Sequence, residues 1–307
     1  MNAPSFVSVV VGARNAESTI GACLESLLAQ DYPKNRYEVI AVDNDSTDGT
    51  AERIKRYPVT HVSENGGHSA AWARNRGLRE ARGELIAFTD ADCVASPSWL
   101  RLGVGAFTAD SVGCVAGEIV AYPPETLAER YAEARRALSQ RYALTESFKP
   151  YAQTANAFYR LEALRRIGPF DTSLVIVEDA DLGWRMQDEL GLAVVFCPEA
   201  VVYHKHRPTV RALLRQRIGY GFSGVQIYRK YRAQMAPWTL RQTWWGLLTL
   251  AGKSGRCAAA WARGALARLR GGSEWEPALF AALDVLSHLA ERWGRLKGSI
   301  KYRVWYI

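Results

Sequence analysis

Cysteine is scarce and unpatterned in this chain. Cys23, Cys93, Cys114, Cys197 and Cys257 are scattered, odd in number and free of Cys-x-x-Cys spacing. That excludes a disulfide framework or a cysteine-built zinc site, and predicts reduced thiols in a cytoplasmic setting. No basic n-region followed by an apolar h-region opens the sequence, so no signal peptide is expected. Asn44-Asp45-Ser46 fits the glycosylation sequon, and in that setting is read as coincidence. Long uncharged runs are missing as well. After residue 205 the uncharged stretch 242–252 has eleven residues, whereas a membrane-spanning helix needs about twenty. The first strand-to-helix turn, Gly12-Ala13-Arg14-Asn15-Ala16-Glu17, departs from Gly-x-Gly-x-x-Gly, which argues against a Rossmann dinucleotide site.

What is present is a chain of 307 residues, enough for one large α/β domain and an appendage. The net charge of +8 conceals an asymmetry. Residues 1–200 carry 20 Lys and Arg against 27 Asp and Glu, whereas residues 201–307 carry 19 against 4. Seven of the ten tryptophans also fall after residue 237.

The first two hundred residues alternate short apolar runs with amphipathic stretches, the pattern of a mostly parallel sheet flanked by helices. Strands are expected at 6–11, 37–42, 59–62, 85–89, 112–118, 154–159 and 193–196. Helices are expected at about 19–30, with Ile20, Leu24, Leu27 and Leu28 on one face, and at 50–57, 68–82 and 179–190. Residues 124–146 read as one charged helix inserted into the alternation. A catalytic domain over 1–205 and a basic, Trp-rich helical region over 206–307 are the expected division.

Several polar clusters sit where an open α/β sheet binds its ligands, at the ends of strands. Asp90-Ala91-Asp92 follows the run Leu85-Ile86-Ala87-Phe88-Thr89. Two carboxylates there suit a divalent metal carrying a nucleotide diphosphate, or they merely cap the next turn. Ser96-Pro97 looks like the cap and first residue of the following helix. Asp43 ends the second strand, where it accepts hydrogen bonds from a base or ribose or serves as a turn aspartate. Asn65-Gly66-Gly67-His68 leads into Arg74-Asn75-Arg76-Gly77, with glycines for close approach and arginines that face a diphosphate or solvent. Glu178, Asp179 and Asp181 crowd a helix start, where acids favour the helix dipole and one carboxylate can act as a base. His204 and His206 alternate after a strand-like segment, and one of them is a plausible metal ligand.

Taken together, these pieces resemble the inverting family-2 glycosyltransferases with a GT-A fold. The matching segments are Val7–Val11 with Arg14-Asn15, then residues 39–50 around Asp43-Asn44-Asp45, then Asn65-Gly66-Gly67 with Ala73–Gly77, Asp90-Ala91-Asp92, and Glu178–Leu182. They cover roughly residues 5–205. The resemblance implies donor contacts from Arg14, Asn15, Asp43, Asn65, Gly67, Arg74 and Asp90. It implies Mn2+ or Mg2+ on Asp92, completed by His204, with Asp179 as general base and Glu178 beside it. Thr154, Asn156 and Trp184 fall on the acceptor side. The donor implied is a nucleotide sugar, UDP-linked by family habit. Gln216-Arg217-Ile218-Gly219-Tyr220 departs from the Gln-x-x-Arg-Trp motif of processive synthases, so transfer is expected to be non-processive.

The basic tail fits contact with an anionic membrane surface, through tryptophans at the headgroup level and cations toward lipid. That places the protein peripherally on the inner face of the cell membrane, with a lipid-linked or cell-envelope glycan as acceptor. Leu279, Leu283, Leu286, Ala290 and Trp293 form a helical stripe expected to pack against the catalytic domain. No nucleic-acid motif is visible. Two other classes share parts of the pattern. A sugar nucleotidyltransferase would need a glycine-rich, basic first loop, which Gly12–Asn15 matches poorly. A non-catalytic, membrane-associated sugar-binding scaffold would not need intact Asp90, Asp92 and Asp179.

Overall fold

The computed structural model describes residues 4–67, 69–269 and 275–307, so His68 of the glycine-rich motif lies outside the described residues. Two compact units are formed, one from Met1–Pro123 with Arg136–His206 and one from Pro124–Arg135 with Arg207–Ile307.

The first unit is built on an eight-stranded sheet. Its strands are β1 (Val7–Ala13), β2 (Tyr37–Asp43), β3 (Thr60–Ser63), β4 (Leu85–Asp90), β5 (Cys93–Ala95), β6 (Val112–Ala121), β7 (Asn156–Arg160) and β8 (Ala193–His204). The spatial order is β3-β2-β1-β4-β7-β6-β8-β5. The β3-β2-β1-β4 half is parallel throughout. In the other half β7 is antiparallel to β4 and β6, β8 is parallel to β6, and β5 is antiparallel to β8. The sheet is therefore mixed. Helices α1 (Ile20–Leu28), α2 (Thr50–Ile54), α3 (Ala70–Glu80), α4 (Trp99–Gly105), α6 (Gln140–Thr145), α7 (Leu161–Ile167) and α8 (Glu178–Leu190) belong to the same unit.

Side-chain alternation along the strands divides the core into two layers. Val7, Val9 and Val11 pack with Ile20, Leu24, Leu27, Trp99 and Leu100 on one face. Val10, Ile40, Val42, Ile86 and Phe88 pack with Ala71, Ala73, Leu164, Leu182 and Met186 on the other. Helix α3 lies close against β1, because a Cβ at Gly77 would run into the Val10 Cγ1 methyl.

Register explains why the polar strand ends meet. Ala13 lies opposite Asp43, Gly12 opposite Asp90, and Asp43 opposite Ser63. The antiparallel β7 starts at the same edge, with Asn156 opposite Thr89. Four exit loops and the approach to β7 thus share one rim.

Several expectations are corrected. Residues 124–146 are not one helix. They form α5 (Leu127–Ala134) and α6, separated where Arg136 adopts φ 47°, and the two belong to different units. The capping box between Thr126 and Glu129 starts α5, and the Ser139 hydroxyl accepts from the Tyr142 N–H to start α6. Ser96-Pro97 does not open a helix, since α4 begins after Ser98 and the Ser96 carbonyl accepts from the Trp99 N–H. The strand-like segments at 193–196 and 201–203 are one strand with a bulge. Cys197 lies opposite Gly117 and Val201 opposite Glu118, which leaves three residues of β8 without partners on β6.

The second unit contains α5, α9 (Val210–Tyr231), α10 (Leu240–Leu269) and α11 (Glu276–Tyr302). Helices α9 and α11 meet backbone to backbone. A Cβ at Gly221 would strike the Glu291 carbonyl, and one at Gly294 the Ile218 carbonyl. The Leu279–Trp293 stripe divides: Leu283 is buried with Tyr131 and Leu213, whereas Leu286 and Trp293 are exposed. Tyr131 donates to Asp284 at 2.9 Å, and Arg135 pairs with Asp284 at 2.7 Å, tying α5 to α11. Among the described residues no helix is long and apolar enough to cross a membrane.

The close approach of α3 to β1 yields a stability test. Gly77→Ala should cost about 1–3 kcal/mol by overpacking. Gly105→Ala, at a helix end where nothing lies within 4 Å of the added methyl, should be near neutral. Urea unfolding of the two variants checks the contrast.

Candidate active site

A buried arginine organises the rim. Arg74, on α3, donates from Nη2 to Asp90 Oδ1 at 2.9 Å and from Nη1 to Glu178 Oε1 at 2.7 Å. Its guanidinium also lies 5.8 Å from the centre of the Phe170 ring. The bridge joins the end of β4 to the first turn of α8. Burial opposes the arginine's charge, but Asp90, Glu178 and Asp179 outweigh it and hold Arg74 above its ordinary pKa. The neighbouring Asn75 fixes the loop that carries Phe170, donating to its carbonyl at 2.9 Å and accepting from its N–H at 2.8 Å.

Glu178 is almost fully buried, and its Oε2 has no hydrogen-bond partner. Burial raises its carboxyl above the usual range despite the ion pair with Arg74. Asp179, partly buried, is pushed up to about 7, first by burial and then by the adjacent Glu178 charge. Arg74 and the backbone N–H groups of Ala180 and Thr154 pull the other way. A carboxylate so placed is close to half-protonated at neutral pH, where a general base works best.

The Asp92 side faces β8. Pairing of β5 with β8 sets Cys93 opposite His204, and the Lys205 N–H donates to the Asp92 carbonyl at 2.9 Å. His204 Nε2 then lies 3.4 Å from Asp92 Oδ1, while its buried Nδ1 has no partner. Among the described residues no cluster of three or more His, Cys, Asp and Glu side chains forms a complete metal site. An imidazole and a carboxylate facing each other nevertheless fit a divalent cation that draws its other ligands from water and a substrate diphosphate. Beneath them lie the Cys23 and Cys93 thiols, which are driven upward by burial and by the Asp92 and Asp90 charges and stay protonated.

At the β1–β2–β3 side, Asp43 is buried and its Oδ1 has no hydrogen-bond partner. Asn44 donates to the Ser69 carbonyl at 3.1 Å, leaving its own Oδ1 unpartnered. A buried acceptor without a partner suits the ring N–H of a nucleobase. Asn15 is fixed by its surroundings: it adopts φ 49°, its N–H donates to Ser46, and its Oδ1 accepts from the Thr47 N–H at 2.8 Å. Arg14 and Asn65 are exposed on their loops, and the Trp72 indole lies over Gly66 and Gly67.

Two expected acceptor contacts are corrected. Asn156 is fully buried: its Oδ1 accepts from Trp99 Nε1 at 2.7 Å, and its Nδ2 donates to the Glu118 and Ala200 carbonyls at 2.8 Å each. It seals the β8 bulge, with both amide donors spent on main-chain carbonyls and the side chain out of a substrate's reach. Trp184 is also buried, its Nε1 donating to the Lys149 carbonyl and its ring packed edge-on against Phe148 and Tyr151. Thr154 does reach the site, through its backbone N–H to Asp179. No sequence pattern announces a main-chain contact of that kind.

Comparison with known proteins gives this rim its setting. Residues 8–168 match the model of Glycosyl transferase family 2. Glycosyltransferase AglE of Haloferax volcanii is 31% identical over 225 residues, which cover 70% of this chain and 72% of that protein. The chain belongs to glycosyl transferase family 2. It is thus a glycosyltransferase, which sets aside the nucleotidyltransferase and scaffold alternatives. A beta-monoglucosyldiacylglycerol synthase from Nostoc is 31% identical over 242 residues, covering 74% of this chain but 50% of that relative. The fold is GT-A. A mannosyltransferase from Pyrobaculum calidifontis, solved with GDP-Man and Mn2+, superposes with a TM-score of 0.64 at 22% identity, covering 97% of this chain and 88% of that one. Glucosyl-3-phosphoglycerate synthase from Mycobacterium tuberculosis, solved with Mn2+, UDP and glucosyl-3-phosphoglycerate, gives 0.54 at 22% identity over 73% of this chain and 79% of that one.

The arginine bridge makes a direct prediction. Arg74→Met leaves the buried Glu178 carboxylate uncompensated and should cost about 3–5 kcal/mol. Adding Glu178→Gln should recover part of that loss, and chemical denaturation of the single and double variants measures both.

Proposed function

We propose that this glycosyltransferase is metal-dependent, inverting and non-processive, moving a sugar from a nucleotide sugar, UDP-linked, to a hydroxyl of a lipid-linked or cell-envelope glycan. One observation carries the reading: Arg74 ties Asp90, on the nucleotide side, to Glu178, and so sets Asp179 beside the same rim with its proton affinity raised toward neutrality.

In this reading Asp43 accepts from the base, and Asp90, held by Arg74, faces the ribose. Arg14, Asn15, Asn65 and Gly67 line the donor side. Asp92 and His204 would hold Mn2+ or Mg2+, which when bound offsets the charge of the departing diphosphate. Asp179 takes the proton of the acceptor hydroxyl. The acceptor oxygen then forms its bond to the anomeric carbon on the face opposite the breaking bond to phosphate, which inverts that carbon through an oxocarbenium-like transition state. Glu178 stays beside the base and, with the Thr154 N–H, keeps it oriented.

Mn2+ in the two structural neighbours and UDP in one of them support the choice of cation and carrier. The diacylglycerol relative supports a lipid acceptor. All five cysteines are free thiols, in keeping with a place at the cytoplasmic face of a membrane.

Asp179→Asn should lower kcat by about 10²–10⁴-fold while donor binding survives. Near-normal turnover would remove Asp179 from the role. In the wild type, kcat/KM should rise with pH through about 7, because the charged carboxylate is the base. Glu178→Gln deletes the neighbouring negative charge and should move that inflection downward.

Asp92→Ala should abolish the Mn2+-dependent part of donor binding. Titration calorimetry with UDP-sugars, with and without Mn2+, reads it directly, and unchanged metal dependence would exclude Asp92 as a ligand.

A further inference from the structure

Helix α10 turns an apolar face outward. Leu240, Trp244, Leu247, Leu248 and Leu266 lie on one arc of the helix and all are exposed, Leu240 and Trp244 at 65% and Leu248 at 62%. The positions between them on that arc, 251, 255, 258 and 262, are exposed alanines and a glycine, so no charge interrupts it. The opposite arc is the packed one. There Ala260 is buried, and the Gly246 carbonyl lies 3.0 Å from His288 Nε2 of α11. An amphipathic helix normally buries its apolar stripe; this one buries its small residues and presents the bulky ones.

Charge identifies what the face meets. Residues 207–273 contain thirteen Lys and Arg and no Asp or Glu. Arg241, Arg256 and Arg263 are exposed along one flank of the apolar arc, next to Trp245, which is 70% exposed. Apolar residues with indoles in the centre and cations alone at the margin are complementary to acyl chains beneath anionic headgroups. A protein partner or a second copy of this positive helix would have to tolerate that excess charge. At about 1.5 Å per residue the helix is long enough to lie along a surface, yet it is not apolar enough to cross one.

We propose that the outward arc of α10 is the membrane-docking surface of this protein, lying in the plane of an anionic lipid bilayer with Trp244 and Leu248 inserted and Arg241, Arg256 and Arg263 at the headgroups. The assignment rests on the membrane-face reading given above, not on its chemistry.

The test is flotation of the full chain with vesicles of phosphatidylcholine containing phosphatidylglycerol, and with phosphatidylcholine alone. The wild type should float with the anionic vesicles and less so as salt rises. Trp244→Glu with Leu248→Glu should weaken partitioning at least about tenfold while leaving the thermal midpoint unchanged, since both side chains are exposed. Arg241→Glu with Arg256→Glu and Arg263→Glu should remove the preference for anionic lipid. Absence of wild-type flotation overturns the proposal, as does flotation of the first variant equal to wild type. Sedimentation showing a wild-type dimer that the first variant dissociates, with no vesicle binding, assigns the face to a second copy instead. UDP-sugar binding by calorimetry, run on the same samples, separates the two readings: vesicle binding without donor binding refutes the chemistry alone.

Discussion

The rim depends on one buried cation. Arg74 is out of water and faces Asp90, Glu178 and Asp179, so its charge and theirs are stable only together. A carboxylate at the end of a central strand and another at the start of a helix 88 positions later would otherwise repel each other. With the guanidinium between them they become a fixed distance. Asp179 shares that crowded corner, and its proton affinity rises first through burial and then through the adjacent Glu178 charge. An acid cluster that looks costly for folding thereby holds one carboxyl whose proton affinity suits the base proposed for it.

The rest of the first unit serves that arrangement. Parallel pairing of β1 with β2 and β4 brings Ala13, Asp43 and Asp90 to one edge, and the antiparallel β7 starts at that edge, two residues after Thr154. Asn75 beside Arg74 is spent on the Phe170 loop, which supports the guanidinium from behind. The adjacent residues of the Arg-Asn pair thus divide charge from geometry.

Much of this was legible in the sequence where a pattern was long enough to repeat. Strands β1, β2 and β4 showed as apolar runs with polar exits, and α8 as an acidic helix start. Cys93–Ala95 is too short to display any period, so β5 was invisible although it sets the height of His204. Residue type does not reveal whether a polar group is spent on backbone, so Asn156 and Trp184 read from sequence as acceptor contacts though both are buried. Asn156 is consumed by Trp99, Glu118 and Ala200. The break between α5 and α6 was readable in Thr126-x-x-Glu129 and Ser139 but was hidden by the continuous charge of the segment. For α10 composition showed tryptophan and arginine; only the packed side of the helix showed which way the indoles face.

The bulge in β8 sets the frame in which its last residues are read. From Val194 to Cys197 each residue of β8 stands opposite the one 80 positions earlier on β6, and from Val201 the offset is 83. Were the strand unbroken, Val201 would stand opposite Ala121 and His204 would overshoot the sheet. Three looped-out residues draw the imidazole back into line with Cys93, as a tuck shortens cloth, and the Asn156 amide is the stitch that holds the tuck closed. The position of a prospective metal ligand is therefore decided several residues upstream, by a side chain buried in the sheet that touches neither metal nor sugar.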